Sequence, residues 1–536
     1  MSNEKKSPDN GRRKALKGLI GLPFVGGVLI GAYAESRKRK LAKRNILDEL
    51  KIEAMRPESS ADLSGDPIRV GIIGYGGRGQ HLVRLLGFAL PSWVARMKEE
   101  ENEGAIEAFR EQENLNVKLT GVCDVFDVYA EEAVAAFPDC KRYRTYEEML
   151  NSPDIDAVVI ATPDHWHAPI SIAALQVGKH VYVEKPMTHN IRETYELREA
   201  ARNSKAVFQV GHQHRQTQSF ITARDIIKKK VLGHVSLVQT NTNRNDDNGA
   251  WQYDIHEKAS PNTIDWDQFL GNAPRIPFNK EHFFRWRKWW AYGSGLSGDL
   301  MTHDYDRINC VLEMGMPKYV TASGGIYTHN DGREVPDVFQ VTMEYPDFST
   351  GSSRQKGIEK GMTFMYSATL GNQFNRSTIL MGHDGTMELG NTLTIFADPG
   401  STRYLDMIES NLIQPDVPIY SYNPEAEQVD AITSATAKYF ADKGLLWTYR
   451  DGKRVDSGLL HLKEWLNAIR HGTPVSCGIQ EGFEEAMSAH MGGLAWKLGR
   501  RIEWDPVNEE IIALPGENLD EILLSTNVGE YTAMES

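Results

Sequence analysis

Asp299 and His303 have types and a spacing that suit proton transfer. They stand four residues apart in a segment predicted to be helical, so both side chains can project into one cleft. Oxidation of a carbinol carbon needs a group that takes the hydroxyl proton, and histidine titrates near neutrality. We predict His303 as the general acid/base and Asp299 as the residue that orients the substrate. Taken alone, the pair also fits an ordinary capped helix.

A glycine-rich turn predicts a dinucleotide phosphate site. Residues 74–79 have the pattern G-x-G-x-x-G directly after a short apolar run, and a helix-like segment follows. In such a turn the first glycine permits the bend, the second lets a pyrophosphate approach the backbone, and the third lets helix and strand pack closely. The predicted phosphate-binding residues are Gly74, Gly76, Gly77, Arg78 and Gly79.

Asp124 is the predicted ribose-binding acid. It ends the apolar run 119–123, where a carboxylate accepts hydrogen bonds from ribose hydroxyls and repels a 2′-phosphate. The prediction therefore favours NAD over NADP. Asp124 lies further from the glycines than the roughly 20 residues usual for this motif, because an acidic stretch within 88–114 intervenes, which we interpret as a solvated helical excursion. The alternative for Asp124 is a helix cap.

Two hydrophobic patterns in the sequence predict the strands and helices that carry these residues. Up to about residue 213, apolar runs alternate with helix-like segments, which predicts βαβ units and a doubly wound parallel sheet. These runs are 68–73, 118–123, 157–161, 180–183 and 207–210. Later runs alternate polar and apolar residues like antiparallel strands, at 234–242, 319–327, 338–345 and 386–396. The predicted fold class is α/β, with an N-terminal Rossmann domain and a C-terminal α+β domain built on a large, mainly antiparallel sheet.

Further motifs carry a family resemblance. Residues 161–169 (ATPDHWHAP) and 178–186 (GKHVYVEKP) follow the glycine turn in the order and spacing of the Gfo/Idh/MocA (glucose-fructose oxidoreductase/inositol dehydrogenase) family, with its E-K-P motif. Residues 289–304 resemble the family's glycine-rich stretch leading into a D-x-x-x-H helix. Residues 461–506 resemble its exported, carbohydrate-acting bacterial branch. The stretches 88–114 and 397–457 depart from the family pattern.

The resemblance implies roles on both sides of a cleft. On the cofactor side it implies the binding residues Thr162, Pro163, His167, Glu184 and Lys185. Lys185 would also join Asp299 and His303 as a catalytic trio, stabilising negative charge on the reacting oxygen. Aromatic planes among residues 283–292 suit the apolar faces of sugar rings, although part of this run belongs to a core. The candidate substrate residues are Arg215, Arg244, Arg287, Trp290 and Tyr292.

The N-terminus predicts export to the periplasm. Residues 12–17 (RRKALK) resemble a twin-arginine signature, and a glycine-rich apolar stretch ends in a small-residue cleavage site at Ala34. Positive charges within 37–44 resist translocation, so an uncleaved membrane anchor is the alternative. The predicted organisation is a signal over 1–34, a linker over 35–66, a Rossmann domain over 67–213, a substrate domain over 214–506 and a tail over 507–536.

Composition limits the partners. The net charge is −13 and no basic face stands out, which argues against nucleic acid. The four cysteines lie far apart without a CxxC pair, so neither a disulfide framework nor a metal site is predicted. We expect a sugar, polyol or glycoside as the partner, and a homo-oligomer.

Two functions stay open at this point. The first is an NAD-dependent oxidoreductase that transfers hydride between a tightly bound cofactor and a sugar or polyol hydroxyl. The second is a redox-neutral NAD-dependent glycoside hydrolase or lyase that works through a keto-sugar. Export favours chemistry that restores its own cofactor, because free NAD is scarce outside the cytoplasm. A non-catalytic dinucleotide-binding protein is disfavoured by the trio.

Overall fold

The computed structural model describes residues 65–348, 361–422, 447–450 and 453–526. The twin-arginine-like signature and nearly all of the linker lie outside these residues. Within the described ranges, no helix has the length and apolar character needed to cross a membrane.

The first sheet is a six-stranded parallel sheet. Its strands are β1 (Ile68–Ile73), β2 (Val117–Cys123), β3 (Lys141–Tyr143), β4 (Ala157–Ile160), β5 (His180–Val183) and β6 (Phe208–Val210). Their order is β3-β2-β1-β4-β5-β6, and every neighbouring pair is parallel. The predicted Rossmann topology is confirmed.

Helices cover both faces of this sheet, which explains its continuous apolar strands. Along β4, Ala157 and Val159 join one hydrophobic cluster while Val158 and Ile160 join the other. The helices are α1 (Gly77–Leu85), α2 (Pro91–Glu99), α3 (Glu103–Glu111), α4 (Asp127–Ala136), α5 (Tyr146–Leu150), α6 (His167–Gln176) and α7 (Ile191–Asn203). The acidic excursion is helical as predicted. Helices α2 and α3 each bury only one side chain, Met97 and Ile106.

The second sheet has ten strands. They are β7 (Val235–Asn243), β8 (Tyr319–Gly325), β9 (Val338–Tyr345), β10 (Met362–Thr369), β11 (Thr378–Gly382), β12 (Gly385–Leu389), β13 (Leu393–Ala397), β14 (Tyr420–Tyr422), β17 (Ile502–Asp505) and β18 (Glu510–Ile511); a separate hairpin holds β15 (Trp447–Arg450) and β16 (Lys453–Asp456). The order is β14-β13-β12-β11-β7-β10-β9-β8-β17-β18. Only the β7–β10 pair is parallel among those described, so the expected antiparallel character is confirmed.

One strand prediction was wrong. Residues 386–396 were expected as a single strand, but they form the hairpin β12–β13. A Gly390-Asn391 turn breaks the run, and the Gly390 amide donates to the Thr392 carbonyl at 2.9 Å. Glycine and asparagine favour tight turns, which overrides the alternating pattern.

The remaining helices follow the first domain in the chain. They are α8 (Gln218–Lys228), α9 (Trp266–Leu270), α10 (Lys280–Phe284), α11 (Thr302–Leu312), α12 (Leu405–Glu409), α13 (Ser457–His471), α14 (Ile479–Leu498) and α15 (Leu519–Leu524). Helix α13 packs on the first sheet, because its Leu462 and Trp465 share a cluster with Val70 and Tyr182. Residues 507–526 continue the second domain instead of trailing from it: β18 pairs with β17, and Ile522 of α15 is fully buried.

Candidate functional site

The predicted cofactor residues follow the carboxyl ends of adjacent parallel strands. Gly74 follows β1, Asp124 follows β2, Thr162 follows β4 and Glu184 follows β5. Since these ends meet at one edge of the sheet, the four loops lie side by side. Strand order reverses between β1 and β4, and α/β sheets bind ligands at such a crevice.

The glycine turn contains two kinds of glycine. Gly74 has φ +85°, and a Cβ there would lie 2.7 Å from the Ala161 carbonyl carbon. A Cβ at Gly79 would collide with the Gly74 carbonyl oxygen. At Gly76 and Gly77, by contrast, a Cβ would meet nothing within 4 Å. The fold itself therefore requires glycine at positions 74 and 79. Gly76 and Gly77 instead border open space at the start of α1, where a pyrophosphate fits.

Asp124 is fixed by the backbone of the glycine turn. Its Oδ2 accepts a hydrogen bond from the Tyr75 amide at 2.5 Å, and its Oδ1 accepts one from the Phe126 amide at 2.7 Å. Burial raises the pKa of Asp124 to about 6, so the carboxylate is ionised at neutral pH. Helix α4 begins at Asp127 with Phe126 as its N-cap residue, so Asp124 does not cap this helix.

Arg78 and Glu184 bind each other. The Arg78 Nε donates to Glu184 Oε1 at 2.8 Å, and Glu184 is only 7% exposed. Burial alone would lower the pKa of Arg78, but the Glu184 carboxylate outweighs it and raises that pKa. The pair connects the glycine turn with the E-K-P loop, so both residues hold the shape of the cofactor site.

His167 also connects two loops of the cofactor site. One ring nitrogen lies 2.7 Å from the Pro186 carbonyl oxygen and the other lies 2.8 Å from the Thr162 carbonyl oxygen. Its side chain is almost fully buried. Pro163 lies between Thr162 and His167 in the same loop, directly before a short 3₁₀ turn at Asp164–Trp166. His167 therefore ties the loop after β4 to the E-K-P loop.

Lys185 and Asp299 meet across the two domains. Lys185 Nζ donates to the backbone oxygen of Asp299 at 2.5 Å and to its Oδ1 at 3.0 Å. Asp299 Oδ1 also accepts from Arg287 Nε at 3.0 Å, and Oδ2 accepts from Trp251 Nε1 at 3.1 Å. Burial alone would raise the pKa of Asp299, but the charges of Lys185 and Arg287 hold it well below its usual range. Asp299 is therefore a buried, ionised carboxylate.

The segment that carries Asp299 departs from a regular helix. Residues Ser297–Met301 form a π-helical turn that continues into α11, which holds His303. A Cβ at Gly298 would collide with the Ser294 side chain, so only glycine permits this close approach. Such π-turns occur frequently at functional sites. The predicted helix is present, and its irregular first turn is what the spacing pattern did not reveal.

His303 has no hydrogen-bond partner for its ring within the described residues. Its Nδ1 is buried and unpaired. The rings of His214 and His212 lie 5.1 and 5.8 Å from the His303 ring, centroid to centroid. Burial, and next the charge of Lys185, hold the pKa of His303 well below its usual range. A neutral imidazole beside a lysine suits a base that accepts a proton from a hydroxyl.

A buried polar layer lies behind His303. His212 Nδ1 is 3.7 Å from Asp306 Oδ2, and its Nε2 is 3.2 Å from Glu485 Oε2. Burial opposes a charge on His212, but the two carboxylates outweigh it and raise its pKa. Arg215 binds Asp306 through Nε at 2.7 Å. This layer fixes the position of the His212 ring beside His303.

Of the five candidate substrate residues, two lie near Asp299 and three do not. Arg287 contacts Asp299, and Arg244 is close enough for its charge to lower the pKa of Asp299. Arg215 does not reach the trio, because its guanidinium is bound to Asp306. Trp290 and Tyr292 are 3% and 1% exposed, and both belong to packed clusters. These two rings are core residues, which corrects the expectation that they face a sugar.

Sequence reasoning missed Trp251, His212 and His214. The two histidines had a usable signal, since they follow β6 at the same sheet edge as the cofactor loops. Trp251 had none, because it lies in an irregular loop far from Asp299 in sequence. No group of three or more His, Cys, Asp or Glu side chains in the described ranges could hold a metal ion.

Comparison with known proteins finds similarity to sugar and polyol dehydrogenases. Scyllo-inositol 2-dehydrogenase (NADP(+)) of Bacillus subtilis (strain 168) is 28% identical over 231 residues, which cover 41% of this chain and 54% of the relative. Levoglucosan dehydrogenase of Pseudarthrobacter phenanthrenivorans is 28% identical over 207 residues, covering 37% and 45%. The chain thus spans about half the length of these curated relatives.

A solved structure shares the fold. Levoglucosan dehydrogenase in complex with NADH and levoglucosan matches with a TM-score of 0.53 at 18% identity, over 84% of this chain and 100% of that one. Residues 68–212 match the oxidoreductase family's NAD-binding Rossmann fold, and residues 224–503 match the same family's C-terminal alpha/beta domain. Because these matches span most of the chain, the protein belongs to the Gfo/Idh/MocA oxidoreductase family.

Proposed function

We propose that this protein is an exported NAD-dependent oxidoreductase that acts on a hydroxyl group of a sugar or polyol. The observation that carries the proposal is the contact between Lys185 and Asp299, with His303 beside them, next to the loops of the cofactor site. A bound nicotinamide would supply the hydride acceptor. Levoglucosan and inositol, named for two relatives, belong to the expected substrate class.

Each residue of the trio has a task in this reaction. His303 is held neutral and accepts the proton from the substrate hydroxyl. Lys185 donates a hydrogen bond to the same oxygen and stabilises the negative charge that develops there. Asp299 stays ionised, so it orients Lys185 and Arg287 and accepts a hydrogen bond from a neighbouring hydroxyl.

NAD is the proposed cofactor. The ionised Asp124 stands where the ribose hydroxyls are expected, and a 2′-phosphate there would meet a like charge. The named cofactor of the Bacillus subtilis relative is NADP, so the preference needs a direct measurement. Because the proposal includes export, the purified protein should retain its nicotinamide. Denaturing it and assaying the supernatant tests this, and a supernatant without nicotinamide would remove the export argument.

A redox-neutral glycosidase or lyase is the second candidate. It is favoured by the twin-arginine-like N-terminus, since an exported enzyme gains from chemistry that regenerates its cofactor. An aryl glycoside panel without added NAD separates the two candidates. Release of the aryl alcohol, with solvent deuterium entering the carbon beside the oxidised one, indicates elimination through a keto-sugar. A dehydrogenase instead accumulates reduced nicotinamide after one turnover and stops until an acceptor sugar arrives.

A further inference from the structure

Arg244 carries a charge that the proposed reaction does not use. It follows β7, where its amide donates to the Thr369 carbonyl at 2.9 Å and its carbonyl accepts from the Asn372 amide at 3.1 Å. A Cβ at Gly249 would come within 2.8 Å of the Arg244 Cβ, so the next turn packs on its stem. The side chain is half-buried. Across the described ranges, its guanidinium makes neither a hydrogen bond nor an ion pair.

Arg244 lies close to the reaction centre, which is the trio of Lys185, Asp299 and His303. Thr240 and Thr242 on β7 donate hydrogen bonds to Asp304 beside His303, and Arg244 follows them on the same face of the sheet because side chains alternate along a strand. Burial tends to raise the pKa of Asp299, and Arg244 is the third cation, after Lys185 and Arg287, that lowers it. Lys185 and Arg287 already share the single carboxylate of Asp299. Arg287 donates to it through Nε alone, so its terminal nitrogens remain available for substrate hydroxyls.

The other carboxylates nearby have partners of their own. Asp304 lies 3.3 Å from Arg307 and also accepts hydrogen bonds from Thr240 and Thr242. Asp164 accepts from the Ser294 amide at 3.1 Å and from its hydroxyl at 2.6 Å. Among the cations near Asp299 and Asp304, Lys185, Arg287 and Arg307 each form an ion pair, whereas Arg244 forms none within the described residues.

We propose that Arg244 binds the carboxylate of an acidic sugar, so that the substrate class is a uronic acid or a related sugar carboxylate. This inference rests on the proposed function. A guanidinium matches a carboxylate with two parallel hydrogen bonds, and it is the side chain best suited to that recognition. A neutral sugar would leave the half-buried guanidinium without an ion-pair partner, which lowers affinity.

Matched sugar pairs test this with the full-length, NAD-loaded enzyme. The pairs are D-glucose with D-glucuronate, D-galactose with D-galacturonate, and D-mannose with D-mannuronate. We expect kcat/KM for the acid to exceed that for its neutral partner by about 10-fold or more in at least one pair, mainly through KM. The preference should shrink as salt screens the charges. If no acid is preferred, the inference is overturned.

Variants of Arg244 attribute the preference to this side chain. Arg244→Gln should lower the acid-to-neutral ratio of kcat/KM by about 10- to 100-fold, and Arg244→Lys should lower it less because the charge remains. The matched control is Arg376→Gln, since Arg376 is an exposed arginine near the same strand end without an ion pair in the described residues. Its ratio should change less than about twofold. An unchanged ratio in Arg244→Gln overturns the inference.

Equilibrium binding separates this inference from the proposed function. The His303→Ala variant, which removes turnover in the proposed mechanism, is titrated calorimetrically with the three acids, with and without Arg244→Gln. If an acid binds in an Arg244-dependent manner but the wild type oxidises no sugar, the proposed function fails, and only the binding of a sugar carboxylate by Arg244 stands. If neutral sugars are oxidised and no acid binds better, the inference fails and the proposed function stands. Absence of both binding and turnover overturns both.

Discussion

The glycine turn (residues 74–79) and the reaction centre (Lys185, Asp299 and His303) are held together by different kinds of contact. In the turn, glycine is required because backbone atoms lie too close for a Cβ. Gly74 packs against Ala161, which follows the neighbouring strand β4, and Gly79 packs against Gly74 within the turn. The reaction centre instead joins Lys185 of the first domain to Asp299 of the second, with Trp251 from a third segment. The turn is held by contacts within the first domain, whereas the centre forms only when both domains are folded and in contact.

This difference predicts how substitutions act. In the turn, stability and cofactor binding depend on different glycines, so the two properties should separate. In the centre, one carboxylate serves three donors, so a single change should affect folding and activity together.

The largest effect is expected at His303. His303→Ala should lower kcat by about 10²- to 10⁴-fold, because the hydroxyl proton loses its acceptor. Cofactor retention should not change, since the predicted cofactor loops lie on the first domain. Steady-state rates and the nicotinamide content of purified protein check both points. The control is His383→Ala, because His383 is an exposed histidine in the turn between β11 and β12. Full activity in His303→Ala would refute the assignment of the base.

Asp299→Asn should affect the centre nearly as strongly. It leaves Lys185 and Arg287 without their shared carboxylate, and the free energy of unfolding should fall by about 3 kcal/mol. Trp251→Phe removes only a neutral donor from the same carboxylate and should cost about 1 kcal/mol. Denaturant unfolding measures both. Since the pKa of Asp299 is depressed, its contribution is present above about pH 4 and is lost as the pH falls towards the folded-state pKa. Equal costs for the two variants would contradict the charge network.

The glycines offer a matched pair of substitutions. Gly79→Ala should destabilise the fold by about 1 to 3 kcal/mol, because its Cβ collides with backbone. Gly76→Ala meets open space within the protein and should leave the melting temperature unchanged, yet NAD affinity should fall about 10-fold because the methyl group occupies pyrophosphate space. Thermal unfolding and NAD titration distinguish these outcomes. A loss of stability in Gly76→Ala with unchanged NAD affinity would contradict the division between the two glycines.

The contrast also explains what the sequence could predict. The Rossmann sheet, the glycine turn and Asp124 depend on short patterns, and the strand order confirms the predicted topology. Trp290 and Tyr292 were misjudged because aromatic composition does not distinguish a core from a cleft, and only packing decides that. Trp251 and the layer of His212, Asp306 and Glu485 depend on contacts between distant segments, which leave no local pattern.

The smallest expected effect is a pH dependence of cofactor binding. Asp124 has a pKa of about 6, so it should be charged above that pH and protonated below it. NAD affinity should therefore fall as the pH drops through about 6, by about 10-fold in total, as the charged acceptor is lost. Asp124→Asn should remove this pH dependence and weaken NAD more than NADP. Titrations of both cofactors across this pH range provide the test, and a pH dependence that persists in the variant would contradict the role of Asp124.

In the proposed reaction, a hydrogen of a sugar carbon is transferred to a nicotinamide bound beside Lys185, Asp299 and His303. The most direct test of this transfer is a single turnover of the NAD-loaded protein with sugars deuterated at their ring carbons, followed by denaturation and mass spectrometry of the released cofactor. We expect one deuterium on the nicotinamide from the wild type, and none from His303→Ala over the same time. A bound nicotinamide that gains no deuterium from any neutral or acidic sugar would contradict it.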